Sequence, residues 1–233
     1  MNILITGASR GIGAAAHELL KSRGHDVAGH STRGGGDLVA GDLTDPMAPA
    51  AIWNEALDRL GGRIDALVNN AGVYEAVAAD ASDDKWHAGW QRTLQINLQA
   101  PADLGRLAVA HFREIGGGRI VNIASRAGWR GDSPQHWHYA ASKAAIIGMT
   151  KTIARAYAAD NILAFAVAPG FTVSEMTDDY LKGRGGDAIV ADIPLGRVAT
   201  TDEVAEVIRW LATEAPASVT GSTIDVNGAS YVR

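Results

Sequence analysis

Cysteine is missing from the chain, so disulfides, thiolate metal sites and cysteine nucleophiles are all excluded. A reducing, cytoplasmic setting is the matching expectation. Long apolar runs are missing as well. Nothing approaches the ~18–20 uninterrupted residues of a bilayer-spanning helix, and no charged leader with a cleavage site precedes the first apolar segment at Asn2. Neither a membrane partner nor a secretory signal is expected. Lysine- and arginine-rich runs are lacking, and a formal charge of −5 argues against a nucleic-acid-binding surface. His136 and His138 stand close together in a loop, but no carboxylate recurs at ligand spacing, so no metal site is expected. What is present is an ordinary globular balance, 47% hydrophobic and 20% charged over 233 residues, which suits one α/β domain with a large core.

Short apolar segments alternate with helical stretches. Ile3–Ile5, Asp26–His30, Leu38–Ala40, Ala66–Val68, Arg119–Ala124, Ile162–Val167 and Ser222–Val226 read as strands. Helices are expected from about Gly11 to Arg23, after Pro46, across roughly Asp84 to Ile115, around Tyr139 to about Ala158, and from Thr201 to Thr213. Pro46 suits a first helical turn, and Thr201 and Asp202 can cap the last helix. Strands apolar on both faces, alternating with helices, indicate a parallel sheet covered on both sides. One junction departs from that pattern. Only seven residues, Gly34, Gly35 and Gly36 among them, separate His30 from Leu38. A parallel crossover ordinarily needs a dozen or more residues. The spacing predicts that the helix between the second and third strands is missing, replaced by a glycine loop.

Two sets of residues carry chemistry. Gly7, Gly11 and Gly13 follow the first strand directly, with Ser9, Arg10 and Ile12 between them. Without side chains, that turn can bend tightly and bring its backbone against a pyrophosphate at a helix N-terminus. Tyr139 and Lys143 are four residues apart, about one helical turn, so phenol and ammonium share a face. Ser125 ends the apolar run that starts at Ile120. A free tyrosine titrates near ~10; a nearby cation favours the phenolate and converts it into usable acid/base machinery. Together the two sets point to an enzyme.

With Asn69, Asn70, Ala71 and Gly72 and the closing segment from Val219 to Gly228, the chain resembles the short-chain dehydrogenase/reductase family. The resemblance covers essentially the whole chain and is to the family's compact branch, similar to 3-oxoacyl-carrier-protein reductases. It implies an α/β fold, a single-domain Rossmann-type doubly wound sheet of parallel strands in the order 3-2-1-4-5-6-7. It also implies hydride transfer between a nicotinamide cofactor and a carbonyl or secondary alcohol. By the same resemblance Asn97, Ser125, Tyr139 and Lys143 form a catalytic tetrad. Tyr139 is then the general acid/base, and Lys143 lowers its pKa and binds the nicotinamide ribose. Ser125 holds the reacting oxygen, and Asn97 sits at a helix kink that holds a water of the proton relay. Asp42, with Leu43, is implied near the adenine, and Asn69, Ala71 and Gly72 beside the adenosine ribose. The nicotinamide is implied near Pro169 and Gly170, with Thr172 and Ser174 in reach of a carboxamide or phosphate. Family members commonly form homo-oligomers, tetramers or dimers.

The second strand bears on cofactor choice. NAD enzymes usually end it with an acid that binds the ribose hydroxyls; here Ser31 stands there, followed by Thr32 and Arg33. Arg33 and Arg10 could hold a 2′-phosphate, so NADP is favoured, with NAD as the alternative. Toward the substrate, Arg126, Trp129, Arg130, His136, Trp137 and His138 crowd the segment between Ser125 and Tyr139. Trp129 and Trp137 are the expected cleft walls, and the arginines could hold an anion. Met176 to Pro194 reads as a lid with Gly183, Gly185 and Gly186 as its flexible points; Tyr180, Leu181 and Ile189 are its candidate ligand contacts. A free ketone or secondary alcohol is favoured over a carrier-bound 3-oxoacyl group, because Asp160 stands where a basic docking residue is expected. The alternative of another class is a catalytically silent NADP-binding sensor or scaffold, against which the retained Tyr139 and Lys143 weigh.

Overall fold

The computed structural model describes residues 1–173 and 186–233. Seven parallel strands form one sheet in the order β3-β2-β1-β4-β5-β6-β7. They are β1 (Asn2–Ile5), β2 (Asp26–Ser31), β3 (Val39–Ala40), β4 (Ala66–Asn69), β5 (Gly118–Ile123), β6 (Ile162–Pro169) and β7 (Thr223–Val226). The helices are α1 (Gly11–Ser22), α2 (Ala48–Arg59), α3 (Asp83–Leu94), α4 (Ala100–Ile115), α5 (Ala127–Arg130), α6 (Trp137–Tyr157), α7 (Gly186–Ala191) and α8 (Thr201–Thr213).

Strand periodicity divides the core into two layers. Ile3, Ile5, Ala66, Val68, Val121, Leu163, Phe165 and Val167 pack on one face with residues of α1 and α8. Leu4, Leu67, Ile120, Ile162 and Ala164 alternate onto the other face, against α2 and α4. Both faces are therefore dry, which is why these strands read as continuous apolar runs.

No helix lies between β2 and β3: a loop with Gly34, Gly35 and Gly36, all at positive φ, makes the connection. The expected omission is thus observed. Two expected helix starts shift. The proline in the first turn of α2 is Pro49, inside a helix that begins at Ala48, whereas Pro46 lies before it. α8 is capped by Thr200, not by Thr201 or Asp202. The Thr200 hydroxyl accepts from Glu203 N and the Glu203 carboxylate accepts from Thr200 N, so two N-terminal donors are satisfied reciprocally. The long stretch from Asp84 to Ile115 is one path interrupted by a π-helical turn at Gln95–Gln99, between α3 and α4.

Candidate active site

The carboxyl ends of the strands open on a cleft of about 1030 Å³. Its nucleotide end starts where β1 runs into α1. Gly7 and Gly11 adopt φ of 70° and 58°, and a Cβ on Gly13 would lie 2.1 Å from Gly7 O. The turn therefore requires glycine at these points for a steric reason. No side chain caps the α1 N-terminus, which leaves its first amides directed at the cleft.

Residues missed in the sequence hold this turn in place. His30 Nδ1 accepts from Gly7 N at 3.4 Å while its Nε2 faces Gly41 O at 2.9 Å. One tautomer serves both contacts, with the proton on Nε2. Asn70 donates to Thr6 O and Gly7 O at 3.0 and 3.1 Å, and Thr6 Oγ1 accepts from the amides of Asn70 and Ala71. The doubled asparagine was visible in the sequence, but which of the pair faces the cleft was not. Asn69, expected beside a ribose, turns its side chain into the core, where its Nδ2 donates to Asn122 Oδ1 at 2.8 Å. It is the last residue of β4, and strand alternation sends it to the face opposite the one the expectation needs.

Other expected cofactor contacts do line the cleft: Ser9, Arg10, Ile12, Ser31 and Thr32 on the α1 and β2 side, then Asp42 and Leu43. Asp42 is held below the usual carboxylate range by hydrogen bonds from Thr44. Ala71, Pro169, Gly170 and Thr172 line it farther along. Gly72 also lines it, but at the tetrad: a Cβ there would sit 3.4 Å from Asn97 Oδ1 and 3.6 Å from Lys143 Nζ. Arg33 is exposed and outside the cleft lining. Ser174, Tyr180 and Leu181 lie outside the described residues.

The tetrad converges from three places in the fold. Ser125 follows β5, Tyr139 and Lys143 lie on α6, and Asn97 occupies the π turn. Ser125 hydrogen-bonds the Tyr139 hydroxyl and accepts from Ala127 N at 3.1 Å. Lys143 Nζ donates to Ile123 O at 2.8 Å and lies 5.7 Å from the Tyr139 ring centroid. Asn97 is buried behind the cleft surface. Its Oδ1 accepts from Val73 N at 2.8 Å, and its Nδ2 donates to Val73 O and toward Ser142 Oγ, which in turn donates to Tyr139 O. The asparagine, unfavourable inside a regular helix, thus ties three segments together.

One electrostatic expectation is corrected. Burial pushes the Tyr139 phenol up to about 12, against the opposing effect of the Ser125 hydrogen bond. Burial likewise pushes Lys143 down to about 8. Desolvation of both groups outweighs the pull of one on the other.

The substrate end differs from its expectation more. Trp129 leaves the cleft and packs beside Ala124, Ile146, Ile147 and Ala166, with Lys151 and Arg233 against its ring. Trp137 is 54% exposed and sits edge-on to Trp86. Neither lines the cleft: Trp129 packs against a small buried cluster, and Trp137, at the start of α6, faces outward. Tyr74 stands in their place: it stacks on His136 with centroids 3.9 Å apart and meets Tyr139 edge-on at 4.7 Å. Phe171, Arg126, Arg130, Asp132 and Asp192 complete that end. Tyr74 and Phe171 carried no spacing signal, because they reach the site through loops distant in sequence. Among the described residues no helix is long and apolar enough to cross a membrane, and no cluster of ligating side chains suits a metal ion.

The family described as "Enoyl-(Acyl carrier protein) reductase" matches residues 7–229. A 3-oxoacyl-(acyl-carrier-protein) reductase of Vibrio cholerae is 34% identical over 242 residues, with 98% of this chain and 96% of that one covered. Nodulation protein G of a Rhizobium species is 39% identical over 237 residues, covering 97% and 94%. Among solved structures, the aldohexose dehydrogenase of Thermoplasma acidophilum superposes with a TM-score of 0.89 at 26% identity, over 99% of this chain and 94% of the other. Match to that family, full-length relatives and a shared seven-stranded topology lead to one conclusion: the chain belongs to the short-chain dehydrogenase/reductase family and is an oxidoreductase acting on hydroxyl or keto groups.

Proposed function

We propose that the protein is an NADP-dependent reductase of ketones, able to run in reverse on secondary alcohols, with Tyr139 as general acid/base. The observation that carries this reading is the meeting of Ser125, Tyr139 and Lys143 in the same cleft as the glycine turn. The nucleotide fits the residues present: Gly13 has no room for a Cβ, and the α1 amides face the place where a pyrophosphate would lie. Bound there, the nicotinamide dinucleotide supplies the hydride. Arg10, Ser31 and Thr32 would hold the 2′-phosphate end, with no acid at the close of β2 to repel it.

The raised pKa of Tyr139 suits reduction. At neutral pH the phenol keeps its proton, yet even at about 12 it remains a stronger acid than an aliphatic alcohol. It therefore gives its proton to an oxygen that gains negative charge, while the Ser125 hydroxyl donates to the same oxygen. Lys143 would bind the nicotinamide ribose and keep a positive charge beside the phenol. Asn97 positions Tyr139 through Ser142 and fixes Val73. Tyr139→Phe is expected to lower kcat by roughly 10²–10⁴-fold while NADPH affinity, read by fluorescence quenching, stays close to wild type. Undiminished turnover in that variant would remove Tyr139 from the chemistry.

The names of the relatives favour a second reading, reduction of a 3-oxoacyl group on an acyl carrier protein. Against it, the turn after α6 presents Asp160, ion-paired with Arg113 at 2.7 Å, where an acidic carrier would need a free cation.

A further inference from the structure

Arg126 follows Ser125 in the chain, and its amide donates to Pro169 O at 3.0 Å, so its root is fixed between the tetrad and the end of β6. Its side chain is only 11% exposed, and the guanidinium lies over the Phe171 ring, 5.0 Å from the centroid. Among the described residues its Nη1 is buried without a hydrogen-bond partner. The carboxylate paired with it, Asp192, is 3.8 Å away, beyond hydrogen-bonding distance, and is bound instead by Arg130 at 2.8 Å. Among the described residues, two other acids lining this side of the cleft are also engaged. Asp132 accepts from the Tyr74 hydroxyl at 3.1 Å, and Glu75 accepts from Arg92 at 3.2 Å.

A buried guanidinium is costly unless an anion pairs with it and takes its hydrogen bonds. The planar fork matches a carboxylate in geometry as well as charge. Arg126 lines the same cleft as Ser125 and Tyr139, so an anion held by its guanidinium and a carbonyl at the tetrad can belong to one small molecule.

We propose that the cleft takes an oxo acid with a free carboxylate, which Arg126 holds while the neighbouring carbonyl is reduced to the hydroxy acid. The inference rests on the reductase reading above. The carbonyl carbon gains the hydride, the oxygen gains the Tyr139 proton, and the carboxylate is unchanged. The Tyr74 ring, backed by the buried His136 ring stacked on it, walls the short carbon chain. The pyrophosphate of the dinucleotide is the other anion that a cation in this cleft could serve, and affinity measurements separate the two.

The test compares kcat/KM of the wild-type enzyme with NADPH for pyruvate, acetoacetate and levulinate, for their methyl esters, for acetoacetyl-CoA, and for neutral ketones. At least one acid should exceed its ester by about 100-fold or more. In Arg126→Gln the acid-to-ester ratio should collapse by a similar factor, Arg126→Lys should restore part of it, and the NADPH dissociation constant should stay within roughly twofold of wild type. Equal or faster turnover of esters, neutral ketones or acetoacetyl-CoA overturns the oxo-acid assignment and leaves the reductase reading standing. An Arg126→Gln variant that loses NADPH affinity in step with acid turnover also overturns it, in favour of the pyrophosphate. If no acid, ester, thioester or ketone is reduced with either nucleotide, the reductase reading itself falls. Should Arg126→Gln fail to fold, the wild-type acid-to-ester ratio alone decides.

Discussion

At the nucleotide end of the cleft the surface is mostly backbone, whereas at the substrate end it is made of long side chains. Gly7, Gly11 and Gly13 let main chain approach main chain, and His30, Asn70 and Thr6 lock that approach with hydrogen bonds. Around Tyr139 the walls are the side chains of Tyr74, Phe171 and two arginines, with the buried His136 ring stacked behind Tyr74. A backbone surface tolerates almost no substitution, because any added atom meets atoms that cannot rotate away. A side-chain surface can be retuned one residue at a time. That difference explains how one fold keeps a cofactor while its substrate changes.

Three measurements sharpen or break the contrast. The largest effect is expected from Gly13→Ala. Its Cβ would meet Gly7 O at 2.1 Å and Asn70 Nδ2 at 2.4 Å, so the turn must open. A loss of about 3 kcal/mol in urea unfolding, together with lost NADPH binding, is expected. A variant that unfolds like wild type would show that the backbone is freer there than its contacts allow.

Lys143 tests the catalytic end. Its folded pKa is depressed from 10.5 to about 8 by burial, so between those values the unfolded chain binds the extra proton. Stability should therefore rise with pH across that window, by up to about 1.4 kcal/mol per pH unit, and lose that gain as pH falls back through 8. The raised Tyr139 pKa contributes only above its ordinary value of 10.0, so it does not mask the slope. Urea titrations at pH 8 and pH 10 should show the rise in wild type and a flat response in Lys143→Met. The same slope in both proteins would assign it to another group.

The smallest effect concerns Arg10. Arg10→Ala should lower kcat/KM for NADPH about 10-fold while NADH changes by less than roughly twofold. Equal losses with both nucleotides, or a wild-type preference for NADH, would remove the 2′-phosphate from its role.

The same contrast governs what the sequence reveals. The alternation of strands and helices, the missing crossover helix, the glycine turn and the Tyr139–Lys143 pair are written in local spacing, so they could be read directly, whereas strand order and the full tetrad came through the family resemblance. Asn69 and Asn70 could not be told apart, because strand alternation decides which faces the core, and the strand's last residue was one position later than expected. Trp129 and Trp137 were read as cleft walls because they lie between two catalytic residues. Nearness in the chain says nothing of direction: Trp129 packs against a buried cluster and Trp137 points outward. Tyr74, Phe171 and Asp192 come from three separate loops or helix ends, and only tertiary structure brings them together. Arg33 and Arg10 flank the same expected phosphate, yet only Arg10 borders the cleft.

The shortened link between β2 and β3 also has a practical meaning. β3 has two residues at the margin of the sheet, too few rungs for a foreign strand to dock and begin an aggregate. Gly35 and Gly36, with nothing within 4 Å of where a Cβ would stand, mark the spot where extra chain could be spliced in with the least disturbance to the packed interior.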